Sequence, residues 1–158
     1  MTATASPVAA TQECQTAAAH PRTEAAESWP TVFVVDDDEC LRSLVGDWVD
    51  DAGFRAVRLD GGEACLALLA LERPVAVILD LHMSGLSGVE TLDFIRIVDL
   101  DVPVIAMTGE CDPAIALDMV DRGADEFLIK PVSRTRLVRS LLANVVPGRL
   151  PSRVPEPA

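Results

Sequence analysis

Five times between Thr31 and Val146, a short apolar run rich in β-branched residues gives way to a segment with helical apolar spacing. The runs are Val32–Val35, Ala56–Leu59, Val75–Leu79, Val102–Met107 and Phe127–Ile129. Apart from Arg58 in the second, the runs are continuously apolar rather than alternating, as strands buried on both faces should be. Between them, Leu41, Leu44, Val45, Trp48, Val49 and Ala52 fall on one helical face, and so do Leu137, Val138, Leu141, Leu142 and Val145. Helix starts are legible as well. Asp38 and Glu39 suit the opening of the first helix, Asp60 with Glu63 has the spacing of a capping box, Asp112 precedes Pro113, and Ser133 precedes the last helix. Repeated β-α units with short links fold as a parallel sheet covered by helices on both sides, with right-handed crossovers.

The remaining residues add little to this unit. A chain of 158 residues, 49% of them hydrophobic, has room for one well-packed domain over 31–146. Residues 1–30 and the Pro-rich stretch 147–158 carry no periodic apolar face and are expected to be disordered tails. A formal net charge of −12 disfavours direct contact with nucleic acid. Cys14, Cys40, Cys65 and Cys111 form neither a zinc pattern nor a disulfide framework, as befits thiols in a reducing compartment. With no apolar run of membrane-spanning length and no signal-peptide pattern, a cytoplasmic location without membrane attachment is expected.

In open parallel sheets, ligands gather at the carboxyl ends of the strands. Here those ends deliver Asp36-Asp37-Asp38-Glu39, then Asp80, then Thr108-Gly109, then Lys130-Pro131. Crowding Asp36, Asp37 and Asp80 on one rim is costly unless a cation sits among them, and hard carboxylate oxygens suit Mg²⁺. The Asp80 carboxylate is then a competent nucleophile toward phosphorus, with the Lys130 ammonium and the Thr108 hydroxyl available to the other phosphoryl oxygens. Lys130 stands out by composition, because one lysine among 13 basic residues leaves arginine in every other place. A slim point charge does there what a planar guanidinium cannot. Taken alone, Asp36 and Asp37 are equally well explained as helix-capping acids and Phe127 reads as core, while a strand-end hydroxyl bonding its own backbone is the lesser alternative for Thr108.

Taken together, V-V-D-D-D, L-D-L-H-M-S-G-L-S-G, M-T-G and F-L-I-K-P resemble the successive signatures of response-regulator receiver domains, in the right order across the whole unit. The resemblance implies a flavodoxin-like, doubly wound (βα)5 fold with strand order 2-1-3-4-5. It also implies that Asp80 is the phosphoacceptor and that Mg²⁺, or Mn²⁺ in its place, is held by Asp37, Asp80 and the backbone carbonyl of His82, with Asp36 acting through water. Lys130 and Thr108 are implied as catalytic partners, Thr108 and Phe127 as the switch pair, and Lys130–Pro131 as a cis peptide bond. The implied donor is a histidine kinase or histidine phosphotransfer protein. The implied output face is helix four, strand five and helix five, read by a downstream protein or a second copy. Its mixed charges are Asp118, Asp121, Asp125 and Glu126 with Arg122, Arg134, Arg136 and Arg139.

Two departures stand out. Ser84 replaces the proline that the family usually has, so the loop after Asp80 is expected to be less rigid. His82 is an uncommon residue beside the acceptor and is expected to alter phosphoryl hydrolysis. A haloacid-dehalogenase-like phosphatase is the competing enzyme reading, since it also combines a strand-end Asp with Mg²⁺. It requires D-x-D, however, and the chain has Asp80-Leu81-His82. The chain is thus expected to be a phosphoacceptor that turns over no separate substrate. A flavodoxin-type binding module would need a Gly-rich phosphate cradle where this chain has acids.

Overall fold

The computed structural model describes residues 29–145, so the expected tails lie almost wholly outside the described residues. Pro30, assigned to the N-terminal tail above, already belongs to the fold. It is buried, and its carbonyl accepts from the Arg55 amide at 2.9 Å. The elements in order are β1 (Thr31–Val35), α1 (Glu39–Asp51), β2 (Arg55–Leu59), α2 (Gly62–Leu69), β3 (Ala76–Asp80), α3 (Gly88–Val98), β4 (Val104–Thr108), α4 (Pro113–Asp121), β5 (Glu126–Ile129) and α5 (Arg134–Asn144). The five strands are parallel in the order β2-β1-β3-β4-β5. Among the described residues, no helix is long and apolar enough to cross a membrane.

Successive side chains of a strand point to opposite faces, so the apolar runs feed two cores at once. Val32, Val34, Ala76, Ile78, Ile105 and Met107 pack with Val45 and Val49 of α1 and Leu137 and Leu141 of α5. Their neighbours Phe33, Val35, Val77, Leu79, Val104 and Ala106 pack with Cys65, Leu92, Ile95 and Met119 from α2, α3 and α4. Fully burying each large aliphatic side chain contributes about 1.5–3 kcal/mol, which makes the central strands the least replaceable part of the chain. The helical stripes are wider than the surface the sheet covers. Leu44 and Leu142, which fit the periodicity, remain about half exposed, at 46% and 57%.

The helix starts follow the sequence with one exception. Asp38, Asp112 and Ser133 each accept a backbone N–H from the first turn of their helix, with Pro113 at the start of α4. The Asp60–Glu63 box does not form. Gly61 is the N-cap of α2 with no side-chain bond, and the Glu63 carboxylate instead accepts from the Leu86 amide at 3.2 Å. A reciprocal capping box is present at α3, between Ser87 and Glu90.

On the rim opposite the strand carboxyl ends, Arg96 ties several segments together. Its guanidinium donates to Gly123 O at 2.6 and 2.9 Å, to Val102 O at 2.7 Å, to Asp99 O at 3.3 Å and to the Asp125 carboxylate at 2.9 Å. Gly123, with φ +94°, has the left-handed backbone that only glycine takes cheaply, and a β-carbon there would press into the Arg96 side chain. The end of α3, the start of β4 and the turn after α4 thereby share one cation.

Candidate functional site

β1 and β3 are neighbours in the middle of the sheet, and both stop at the same rim. Asp80 is the last residue of β3, and Asp36 and Asp37 follow β1. One carboxylate oxygen from each of the three lies within 4.8 Å of the others, close enough to share a single cation. Lys130, just past β5, reaches over them, with its Nζ 3.0 Å from Asp80 Oδ1 and 3.3 Å from Asp36 Oδ2. These groups line an open cleft of about 360 Å³ with Asp38, His82, Gly109 and Glu110.

One ammonium shared by several carboxylates sets the electrostatics. For Lys130, burial works against the charge, but the hydrogen bond and charge of Asp80 and the charge of Asp36 outweigh it and hold the pKa above the ordinary lysine value. For Asp36 the balance goes the other way. Burial and the negative charge of Asp80 lift its pKa above the ordinary aspartate value, despite a hydrogen bond from the Asp38 amide at 2.9 Å and the nearby Lys130. The site therefore keeps unneutralised negative charge in a partly desolvated place, and its donors are hard oxygens. That donor set fits Mg²⁺ rather than a soft metal.

Asp37 is exposed, and its Oδ2 accepts from both the backbone N–H and the hydroxyl of Ser84, at 2.9 and 3.2 Å. Those bonds, the backbone one foremost, hold its carboxyl below the ordinary aspartate value. The loop after β3 is consequently tied to β1, and the expected loosening at Ser84 is not what the hydrogen bonds show. Further along, Leu86 N donates to Glu63 and Gly88 N donates to Leu81 O. Gly88 packs so closely that a β-carbon would overlap the Asp80 carbonyl oxygen, so glycine is required there.

Thr108 is fully buried at the end of β4, where its hydroxyl accepts from the Glu110 amide at 3.1 Å and lies 3.4 Å from His82 Nδ1. The other ring nitrogen of His82 lies 3.0 Å from the Glu110 carboxylate at the mouth of the cleft. Phe127 is half-buried and packs on the core shared by α2, α3 and α4. The Lys130–Pro131 bond is cis. Six of the residues singled out from the sequence, Asp36, Asp37, Asp80, His82, Thr108 and Lys130, thus lie at one rim, whereas Phe127 sits further back in β5, paired with Ala106. The contacts of Ser84, Glu110, Glu63 and Arg42, whose guanidinium donates to Asp36 O at 2.8 Å, were not anticipated. Of the cysteines among the described residues, Cys65 is buried, with burial pushing its thiol up to about 12, whereas Cys40 and Cys111 are exposed.

The response regulator receiver domain model matches residues 32–142, and the chain belongs to that family. It is 34% identical over 111 residues to the C4-dicarboxylate transport transcriptional regulatory protein DctD of Rhizobium meliloti, covering 70% of this chain and 24% of that protein. It is 33% identical over 106 residues to the transcriptional regulatory protein FixJ of Bradyrhizobium diazoefficiens, covering 67% of this chain and 52% of that protein. The chain thus matches between a quarter and a half of the length of these relatives. Whole solved domains resemble it more completely. The chemotaxis protein CheY4 of Vibrio cholerae aligns with a TM-score of 0.70 at 25% identity, covering 73% of this chain and 98% of that one. A receiver protein from Pseudomonas putida aligns at 0.68 and 29% identity, covering 73% of this chain and 97% of that one. Receiver domains are the phosphoacceptor signalling modules of two-component systems, and they bind Mg²⁺ at an acidic pocket.

Proposed function

We propose that Asp80 accepts a phosphoryl group from a phosphohistidine donor, a histidine kinase or a histidine phosphotransfer protein, in the cytoplasm. The Asp80 carboxylate oxygen attacks phosphorus, the new O–P bond forms as the P–N bond breaks, and the imidazole nitrogen keeps the electron pair and takes up a proton. The residues that would hold Mg²⁺, or Mn²⁺, are Asp37, Asp80 and the carbonyl of His82, with Asp36 contributing through water. The cation would offset the charge building up on the transferring group. Lys130 binds one phosphoryl oxygen as a point charge, and the Thr108 hydroxyl turns toward another. The carrying observation is the Lys130 ammonium 3.0 Å from Asp80 Oδ1, beside three convergent carboxylates at one rim.

Output in this reading runs through α4, β5 and α5, with Thr108 and Phe127 coupling the site to that face and a protein partner or second copy preferring one of two states. Several of its charges are already engaged. Asp118 of α4 pairs with Arg122 at the helix's C-cap, Arg122 also holds Asp93, Asp125 holds Arg96, Arg134 pairs with Asp51, and Glu126 accepts from Asn144. Exposed Asp121, Arg136 and Arg139 are therefore the better candidates for setting partner choice. The chain catalyses only its own phosphoryl transfer and loss.

The test is intact-mass analysis after acetyl phosphate treatment with and without Mg²⁺. The wild type is expected to gain one phosphoryl group only with the cation present, and Asp80→Asn to gain none. Equal labelling of the two proteins refutes the assignment.

A further inference from the structure

Ser84 lies on the exposed loop after β3, yet both of its donors converge on one oxygen of Asp37, 47 positions earlier in the chain. A carboxylate on an exposed turn samples several rotamers, and a cation that needs one of them must first select it. Two donors on Oδ2 fix that choice, and neither of them occupies Oδ1. The far side of the loop is fixed too, since the Leu86 amide is bound by Glu63 and the Gly88 amide by Leu81 O. Ser84 therefore works from a braced loop rather than a free one.

From this geometry we infer that Ser84 is a positioning residue for divalent-cation binding, presetting the Asp37 carboxylate through its backbone N–H and its hydroxyl. The inference rests on the proposed role of Asp37 as a cation ligand. It gives the serine a function that proline cannot supply, because proline has neither donor. Groups that orient a ligand from behind typically change metal affinity by about 10–100-fold, and an exposed contact belongs at the low end of that range. The residue touches no reacting atom in this role, so it acts on cation affinity and not on the phosphoryl step itself.

The experiment titrates the full chain with Mg²⁺ by calorimetry and with Mn²⁺ by the loss of its free-ion paramagnetic resonance signal, without any phosphodonor. Ser84→Ala, which keeps the N–H, is expected to weaken binding about 3-fold, and Ser84→Pro, which removes both donors, about 10-fold. Ser84→Thr is expected to restore the wild-type affinity. Melting in EDTA should be unchanged for Ser84→Ala, because a purely structural loop residue would move that midpoint and leave the affinity alone. Unchanged affinity in both Ser84→Ala and Ser84→Pro overturns the inference, as does tighter binding, which would mean that the serine competes with the cation. Asp37→Asn separates the two levels. If it abolishes binding while the Ser84 variants bind normally, only the serine role fails; if it binds like wild type, the ligand role of Asp37 fails and the serine role with it.

Discussion

Two cations, Arg96 and Lys130, sit at opposite rims of the same sheet, and their surroundings differ in one decisive way. Arg96 meets a single carboxylate, Asp125, and three backbone carbonyls. Its planar donors are spent on acceptors that are themselves fixed by the fold, and its ion pair sets one cation against one carboxylate. Lys130 meets Asp36 and Asp80 directly, with Asp37 close beside them, so negative charge is left over. A balanced cluster contributes to stability and needs nothing further. An unbalanced one lowers stability in exchange for a waiting attraction toward an incoming cation. Charge surplus, rather than the mere presence of ion pairs, marks the functional rim.

The contrast is broken most forcefully at Arg96. Arg96→Ala leaves three part-buried carbonyls without their donor and is expected to cost about 2 kcal/mol in urea unfolding. At a temperature where the variant is still folded, acetyl phosphate labelling should stay within about twofold of wild type, since the two rims share no partner. A large loss of labelling in the folded variant would show that the rims are not independent.

The opposite sign is expected at the acidic rim. In EDTA, Asp80→Asn should raise stability by about 1 kcal/mol by relieving like-charge crowding. Adding Mg²⁺ should then stabilise the wild type more than the variant, because ligation favours the folded state in proportion to affinity. Lower stability of Asp80→Asn in EDTA would mean that the Lys130 pair outweighs the repulsion.

The smallest effect concerns pH. Because the folded-state pKa of Asp36 is raised, chiefly by burial, the fold binds its proton more tightly than the unfolded chain does. The stability this confers is present below the unfolded-state pKa and is lost as pH rises through the folded value. Metal-free wild type should therefore lose ground to Asp36→Asn as pH climbs across that window, with a constant gap above it. A gap that narrows with rising pH contradicts the raised pKa.

Much of this was legible in the sequence because strand-end residues report directly on a rim. β-branched runs located all five strands, and the polar residue following each of four runs located the cleft. What escaped shares one physical cause, contact over long sequence separation. Asp60-x-x-Glu63 looks like a local box, but Glu63 binds Leu86 instead, and only the crossing of α2 past the loop after β3 makes that bond available. Ser84 reads as a missing proline until its N–H is seen to face Asp37. The Ser87-x-x-Glu90 box, by contrast, is local and has the spacing of a capping box, so it was legible without the fold.

The strand order also bears on the sequence in which the molecule is made. A chain emerging from the ribosome folds amino-terminal parts first, and β1, α1, β2, α2 and β3 are contiguous both in sequence and in the sheet. The acidic trio is therefore complete as soon as Asp80 has emerged, whereas its ammonium arrives only with residue 130 and β5. For that interval the nascent half-sheet carries an uncompensated cluster of negative charge, and closing the sheet with the last strand relieves it. In the finished sheet it is the residue after the last strand that reaches back to the acids of the first and third, so charge at this rim is shared between the two ends of the domain.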